Sequence, residues 1–272
     1  MKRRNPRNHP AAPKGYLLWV FLLPSIILLL FFAIPLVALI FRSFTPDFFE
    51  NALSPQAFQA LTLSLVTSSI TTMVTFVFGT PLAYLLARWK FKHKAWVELF
   101  LDLPVVLPPS VAGLALLVAF GRRGLFGAFL GDLGINLPFT TAAVIFAQIF
   151  VAGPLYVRSA RIGFEHVDKQ LEEAAHVEGA NHLQLFYEIM IPLSMRALAS
   201  GAILTWTRAL GEFGATILFA GNLEGVTRTM PIAIYIGFER NLGVALALSV
   251  VLIGVSVILL MITKRLETAD PD

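Results

Sequence analysis

Six segments of this chain are each long and apolar enough to cross a bilayer, and that constrains its fold more than any other feature. A spanning helix needs about 20 predominantly apolar residues. Tyr16–Phe41, Ala60–Ala87, Trp96–Phe120, Phe139–Val157, Ala197–Ala220 and Val244–Ile262 meet that requirement. Lipid offers a backbone no hydrogen-bond partners, so such segments fold as helices. The expected fold class is an all-α integral membrane protein with six transmembrane helices. Composition agrees: 14% of the 272 residues are charged, against roughly 25% in soluble domains. Cysteine is absent, which excludes disulfides and thiolate metal sites. The formal net charge of +4 reads as a membrane-orientation signal rather than a nucleic-acid footprint.

The first apolar segment follows Lys2, Arg3, Arg4, Arg7 and Lys14, as in a signal peptide. It is too long for a signal-peptide core and no small-residue cleavage site follows, so it is expected to be a retained helix. Placing the N-terminus in the cytoplasm puts those five residues inside, with Arg88, Lys90, Lys92, Lys94, Arg158, Arg161, Lys169, Arg196, Lys264 and Arg265. They make up 15 of the 21 Lys and Arg. Arg42, Arg122, Arg123, Arg228 and Arg240 fall outside, and Arg208 lies within a span. This bias predicts six spans with both termini cytoplasmic. The expected organisation is a cytoplasmic tail at 1–15, one transmembrane domain at 16–264 with a cytoplasmic loop at 158–196, and a cytoplasmic tail at 265–272.

Two spans carry packing signals. The second holds Ser64, Thr67, Ser68, Ser69, Thr71, Thr72 and Thr75, whose small hydroxyl side chains let helices approach and need partners in lipid. The third holds Pro104, Pro108 and Pro109, which must kink or interrupt it. No internal repeat of the kind built into many secondary transporters is visible.

The longest polar stretch, Arg158–Arg196, is expected to form two short helices. Asp168 suits the first N-cap, with Glu172 and Glu173 in the early turns where the helix dipole favours acids. Gly179 suits the left-handed C′ position. Asn181 and Gln184 have capping-box spacing for the second helix, and Pro192 is expected to stop it. Ala174 and Ala175 give the first helix a low, smooth surface that a partner backbone can approach.

The run Glu173-Ala174-Ala175-x-x-x-Gly179, nine residues, then Ile189-x-Ile191-Pro192 resembles the cytoplasmic loop of binding-protein-dependent ABC importer permeases, E-A-A-x(3)-G-x(9)-I-x-L-P. The one departure is Ile191 for leucine, which keeps an apolar anchor. Further stretches look like molybdate permeases: Leu107–Gly113, Phe120–Gly124, Arg208–Thr216 and Thr227–Pro231 with Ala233 and Tyr235. Together they cover most of the chain from about Ala60 onward, and sulfate and thiosulfate permeases share the Gly211-Glu212-Phe213-Gly214 core.

The resemblance implies a permease subunit and not an enzyme. A cytoplasmic ABC ATPase subunit would dock on the loop helix of each permease copy, two in all, through Glu173, Ala174, Ala175, Gly179, Ile189 and Pro192. An extracytoplasmic binding protein would deliver molybdate, or tungstate or sulfate in the alternatives. A second permease copy would complete a homodimer in a bacterial or archaeal plasma membrane. No cofactor is expected on this chain. ATP and Mg would sit on the partner, consistent with the lack of a phosphate-binding loop motif here.

The fifth span is rich in small and polar residues, and Thr205, Arg208, Gly211, Glu212, Gly214 and Thr216 are its candidates for the translocation path. Arg208 and Glu212, four apart, share a helix face. Two roles follow: transient attraction of a dianion by Arg208, or a structural pair that pins the helix. Outer Arg122, Arg123 and Arg228 are candidates for binding-protein or anion contact, or simple solvated charge. A secondary transporter would leave the loop motif unexplained, and a membrane scaffold would need no polar path such as the fifth span offers.

Overall fold

The structure is a computed structural model describing residues 16–268, with side chains from Trp19 to Met261. The expected tail at 1–15, the last four residues of the 265–272 tail, and the side chains of Lys2, Arg3, Arg4, Arg7, Lys14, Lys264 and Arg265 lie outside the described residues. In chain order the helices are α1 (Tyr16–Ser43), α2 (Phe48–Ala52), α3 (Pro55–Arg88), α4 (Lys94–Val106), α5 (Pro109–Phe120), α6 (Gly127–Asp132), α7 (Thr141–His166) and α8 (Lys169–Val177). They continue with α9 (His182–Gln184), a π-helical stretch (Leu185–Met190), α10 (Ile191–Leu193), α11 (Met195–Leu210), α12 (Gly214–Phe219), α13 (Met230–Arg240) and α14 (Leu242–Thr268). No strand occurs among the described residues.

The first, second, fourth and sixth expected spans are the unbroken helices α1, α3, α7 and α14. Counting each of two bent helix pairs as one span brings the number to six. One pair is α4 with α5, whose axes differ by 117°. Its break falls at Leu107 and Pro108, where a run of prolines withholds backbone donors, as expected. The other runs from His182–Leu193 into α11, bent by 73°.

Two expectations need correction. The fifth span, expected as one helix over 197–220, is interrupted: α11 ends at Leu210 and α12 begins at Gly214. Gly211 is a weak helix former at the break. Glu212 favours the interruption because its Oε1 accepts the Ala215 N–H of α12 at 2.9 Å, satisfying a donor that an unbroken helix would have used. Pro192 also does not stop the second loop helix. The helix runs through it to Leu193 and turns at Ser194. The π-helical turns just before Pro192 carry the chain past the missing N–H by a change of hydrogen-bond register.

The central packing is α3 against α7, with α11 laid across both. Ser64, Thr67, Ser68, Thr71 and Thr75 of the second span are all buried; Thr67 and Thr71 bond across that seam, and Ser64 Oγ accepts the Met230 N–H of α13. Thr80 and Tyr156 share a hydrogen bond of 2.6 Å. Gly79 makes room for the Tyr156 ring, since a Cβ there would sit 2.9 Å from it. Such close approach is what drives helix association where lipid supplies no hydrophobic contrast. The large apolar side chains of α1 point outward almost without exception, as a helix facing hydrocarbon requires. At one end of the bundle lie Leu86, Phe164, Ala175, Leu185 and Phe186 in one apolar cluster. At the other, Thr141 Oγ1 donates to the Val226 carbonyl at 2.9 Å, and Arg228 and Arg240 line a recess with Asn51. Arg88 thus ends α3 at one side, and Arg228 and Arg240 lie near its start.

Candidate functional site

The loop residues form a capped, outward-facing helix. Asp168 accepts the Gln170 N–H at 2.9 Å and starts α8. At its other end Gly179 has φ +91°. Its N–H reaches the His176 carbonyl at 3.1 Å, and the Ala180 N–H reaches the Ala175 carbonyl at 2.9 Å. These are the two bonds of a Schellman cap, which needs a left-handed residue at that point. Asn181 and Gln184 then form the expected reciprocal capping box. Glu173, Ala174 and Gly179 are exposed, whereas Ala175 is buried against the bundle. Ile189 is partly buried on the same cluster, and Pro192 is exposed. The alanine pair therefore splits: one methyl faces the bundle and the other faces outward.

The two adjacent glutamates split as well. Glu172 Oε1 lies 2.6 Å from Arg88 Nη2, and their side chains are 17% and 8% exposed. The same Arg88 nitrogen donates to the Val167 carbonyl at 2.6 Å. One guanidinium at the end of α3 thus holds the end of α7 and the first turn of α8. Neither residue stood out in the sequence, where Arg88 belonged to a basic cluster and Glu172 to a helix-dipole pattern. Nearby, Arg161 of α7 meets Glu98 of α4 at 2.9 Å and Glu165 at 2.7 Å, tying the third crossing to the fourth at this end.

The second constellation surrounds the break after α11. Arg208 Nη1 and Glu212 Oε2 are 2.5 Å apart, so the expected pair forms, although across a helix end rather than along a continuous face. Glu212 is 1% exposed and Arg208 34%. Thr205 is buried with its hydroxyl directed at the Ala152 carbonyl of α7, 3.4 Å away. Thr216 is buried too, and its hydroxyl has no hydrogen-bond partner. Gly211 is exposed and Gly214 partly so. Gly214 abuts the start of α5, where an added Cβ would meet the Pro109 ring at 2.6 Å. Gly113 abuts Ala215 in the same way.

Gln148, in the fourth span, went unnoticed in the sequence. Its Oε1 accepts from Thr71 at 3.0 Å, and its Nε2 donates to Thr67 at 3.2 Å and to the Ala209 carbonyl at 3.0 Å. One buried carboxamide thereby ties α3 and α7 to the last turn of α11. The signal was present, since a carboxamide midway along an apolar span must find partners.

With this geometry in hand, comparison with known proteins is decisive. The family of binding-protein-dependent transport system inner membrane components matches residues 79–268. The chain belongs to that family. It is a membrane-spanning permease subunit of an ABC importer, not an enzyme. A probable transport system permease protein, NifC, of Clostridium pasteurianum is 41% identical over 88% of this chain and 83% of that one. The molybdenum transport system permease protein ModB of Escherichia coli strain K12 is 40% identical over 79% of this chain and 95% of its own length. The ModB protein of Mycobacterium tuberculosis is 39% identical over 89% and 92%. Among solved structures, a bacterial ABC transporter involved in import of the acidic polysaccharide alginate superposes with a TM-score of 0.76 at 18% identity, covering 94% of this chain and 96% of that chain. That likeness supports the permease fold.

Proposed function

We propose that this permease moves molybdate from an extracytoplasmic binding protein to the cytoplasm, driven by two ATPase subunits, one docked on α8 of each permease copy. The carrying observation is the division of labour in the loop: Glu172 and Ala175 fasten α8 to the bundle, while Glu173 and Ala174 are left exposed for a partner. Extensive likeness to molybdenum permeases favours molybdate. The loop end is cytoplasmic in this reading, in keeping with the concentration of Lys and Arg there, and a second copy of the chain completes the permease pair.

The path runs past the break after α11. Arg208, Gly211 and Gly214, which reach the surface, face it. Thr205, Glu212 and Thr216, which are buried, support it from behind. Arg208 acts chiefly as a pin, because its charge is offset by Glu212.

The test is ATP hydrolysis by the complex reconstituted with its ATPase and binding protein. Molybdate is expected to stimulate hydrolysis and sulfate is not. Stimulation by sulfate alone would overturn the substrate assignment. An Ala174→Trp variant, which fills the exposed surface, is expected to lose ATPase from the purified complex. Undiminished association would remove the docking role of α8.

A further inference from the structure

We propose that Arg88 is a positioning residue for energy coupling: through Glu172 and the Val167 carbonyl it links the ATPase-docking helix directly to α3. This deepens the docking reading given above and rests on it.

A helix that receives a push must be tied to whatever it is to move. α8 is nine residues long and is joined to α7 by a short turn around Val167. A peptide connection alone would let α8 pivot on that turn. Two further ties remove the pivot. Ala175 is buried against the cluster that includes Leu86, and Glu172, one turn earlier on the same face of α8, is held by Arg88. Arg88 is the last residue of α3, the 34-residue helix that packs most extensively against α7.

The guanidinium is suited to this task. It is permanently charged, and its Nη2 alone donates to the Val167 carbonyl and pairs with the Glu172 carboxylate. Burial of Arg88 makes the link stiff: a charge withdrawn from water keeps its partners, because separation would leave it unpaired. A push on α8 thus enters α3 through a charged bracket and α7 through the chain. Both helices that frame the seam receive it together. Glu173, one residue along, stays free for the partner.

The experiment uses the full complex of permease, ATPase and binding protein in proteoliposomes, reading anion transported per ATP hydrolysed. An Ala174→Cys variant, cross-linked to an engineered cysteine on the ATPase, reports docking in parallel. Arg88→Gln is expected to keep the cross-link and ATP hydrolysis while transport per ATP falls about fivefold or more, a typical coupling effect. Arg88→Lys, which retains charge and donors, is expected to recover most of that loss, as a purely space-filling role would not require. Should Arg88→Gln fail to assemble, Glu172→Gln keeps the volume and an acceptor oxygen and serves with the same criterion. A preserved cross-link with transport per ATP as in the wild type would overturn the bracket and leave docking intact. Absence of the cross-link in the otherwise wild-type complex would overturn both.

Discussion

Two Arg–Glu pairs of nearly equal length occupy opposite situations in this molecule. In the loop pair, Arg88 is 8% exposed and Glu172 17%. In the pair at the span break, Glu212 is 1% exposed and Arg208 34%. The buried member sets the role of each. Arg88 is enclosed by three helix ends and brackets them. Glu212 is enclosed by the break itself, holding Arg208 with one oxygen and the Ala215 N–H with the other. Arg208 is the member left partly open. At the break, where one member is open and the other shut in, removing the open one is the costlier change, because it strands a charge that water cannot reach; in the loop both members are mostly enclosed, and an amide at 172 still offers Arg88 an acceptor.

The break offers the strongest test of this contrast. Arg208→Leu leaves Glu212 buried without its cation and is expected to destabilise the permease by about 3 kcal/mol, read as an earlier thermal transition in detergent. Glu212→Gln should cost less, about 1 kcal/mol, since an amide oxygen still accepts the Ala215 N–H and the partly open Arg208 regains water. If the glutamine variant proves the less stable of the two, the comparison fails.

Gln148→Leu sharpens it from behind. The exchange removes three hydrogen bonds and leaves the Ala209 carbonyl without the carboxamide. An expected loss of about 2 kcal/mol should combine non-additively with Arg208→Leu, because both act on the last turn of α11. Simple addition of the two losses would show that Gln148 and the break are independent. The smallest effect belongs to the loop. Gly179→Ala puts a Cβ on a left-handed residue and is expected to cost about 1 kcal/mol, with no clash, since nothing lies within 4 Å of that position. A loss well above this would mean that Gly179 has a packing role besides its turn.

Much of this was legible from residue order. The spans followed from segment length, the α4–α5 interruption from its prolines, and the caps at Asp168, Gly179 and Asn181 from local hydrogen-bonding chemistry, which acts within a few residues. The break at Gly211–Phe213 was not legible. An Arg and a Glu four apart point to a continuous helix, and the turn of the Glu212 carboxylate onto the Ala215 N–H, which favours the break, is a side-chain placement that spacing does not give. The passage through Pro192 was missed because a shift to π-helical register leaves no simple mark in sequence. Gln148 and the Arg88 bracket span separations of 61 to 84 residues in number along the chain, and periodicity carries no information about such pairings.

The proximity of Pro109 to Gly214 puts the α4–α5 and α11–α12 interruptions at one level. In kinematic terms, α5 and α12 form a single cap, interlocked by Gly113 against Ala215, and the cap rests on two joints rather than on rigid rods. α3 and α7 run past those joints without a break. Displacement at the loop end is therefore carried past the joints by α3 and α7 as one body, keyed at their seam by the Tyr156 ring over Gly79 and by Gln148 on Thr67 and Thr71.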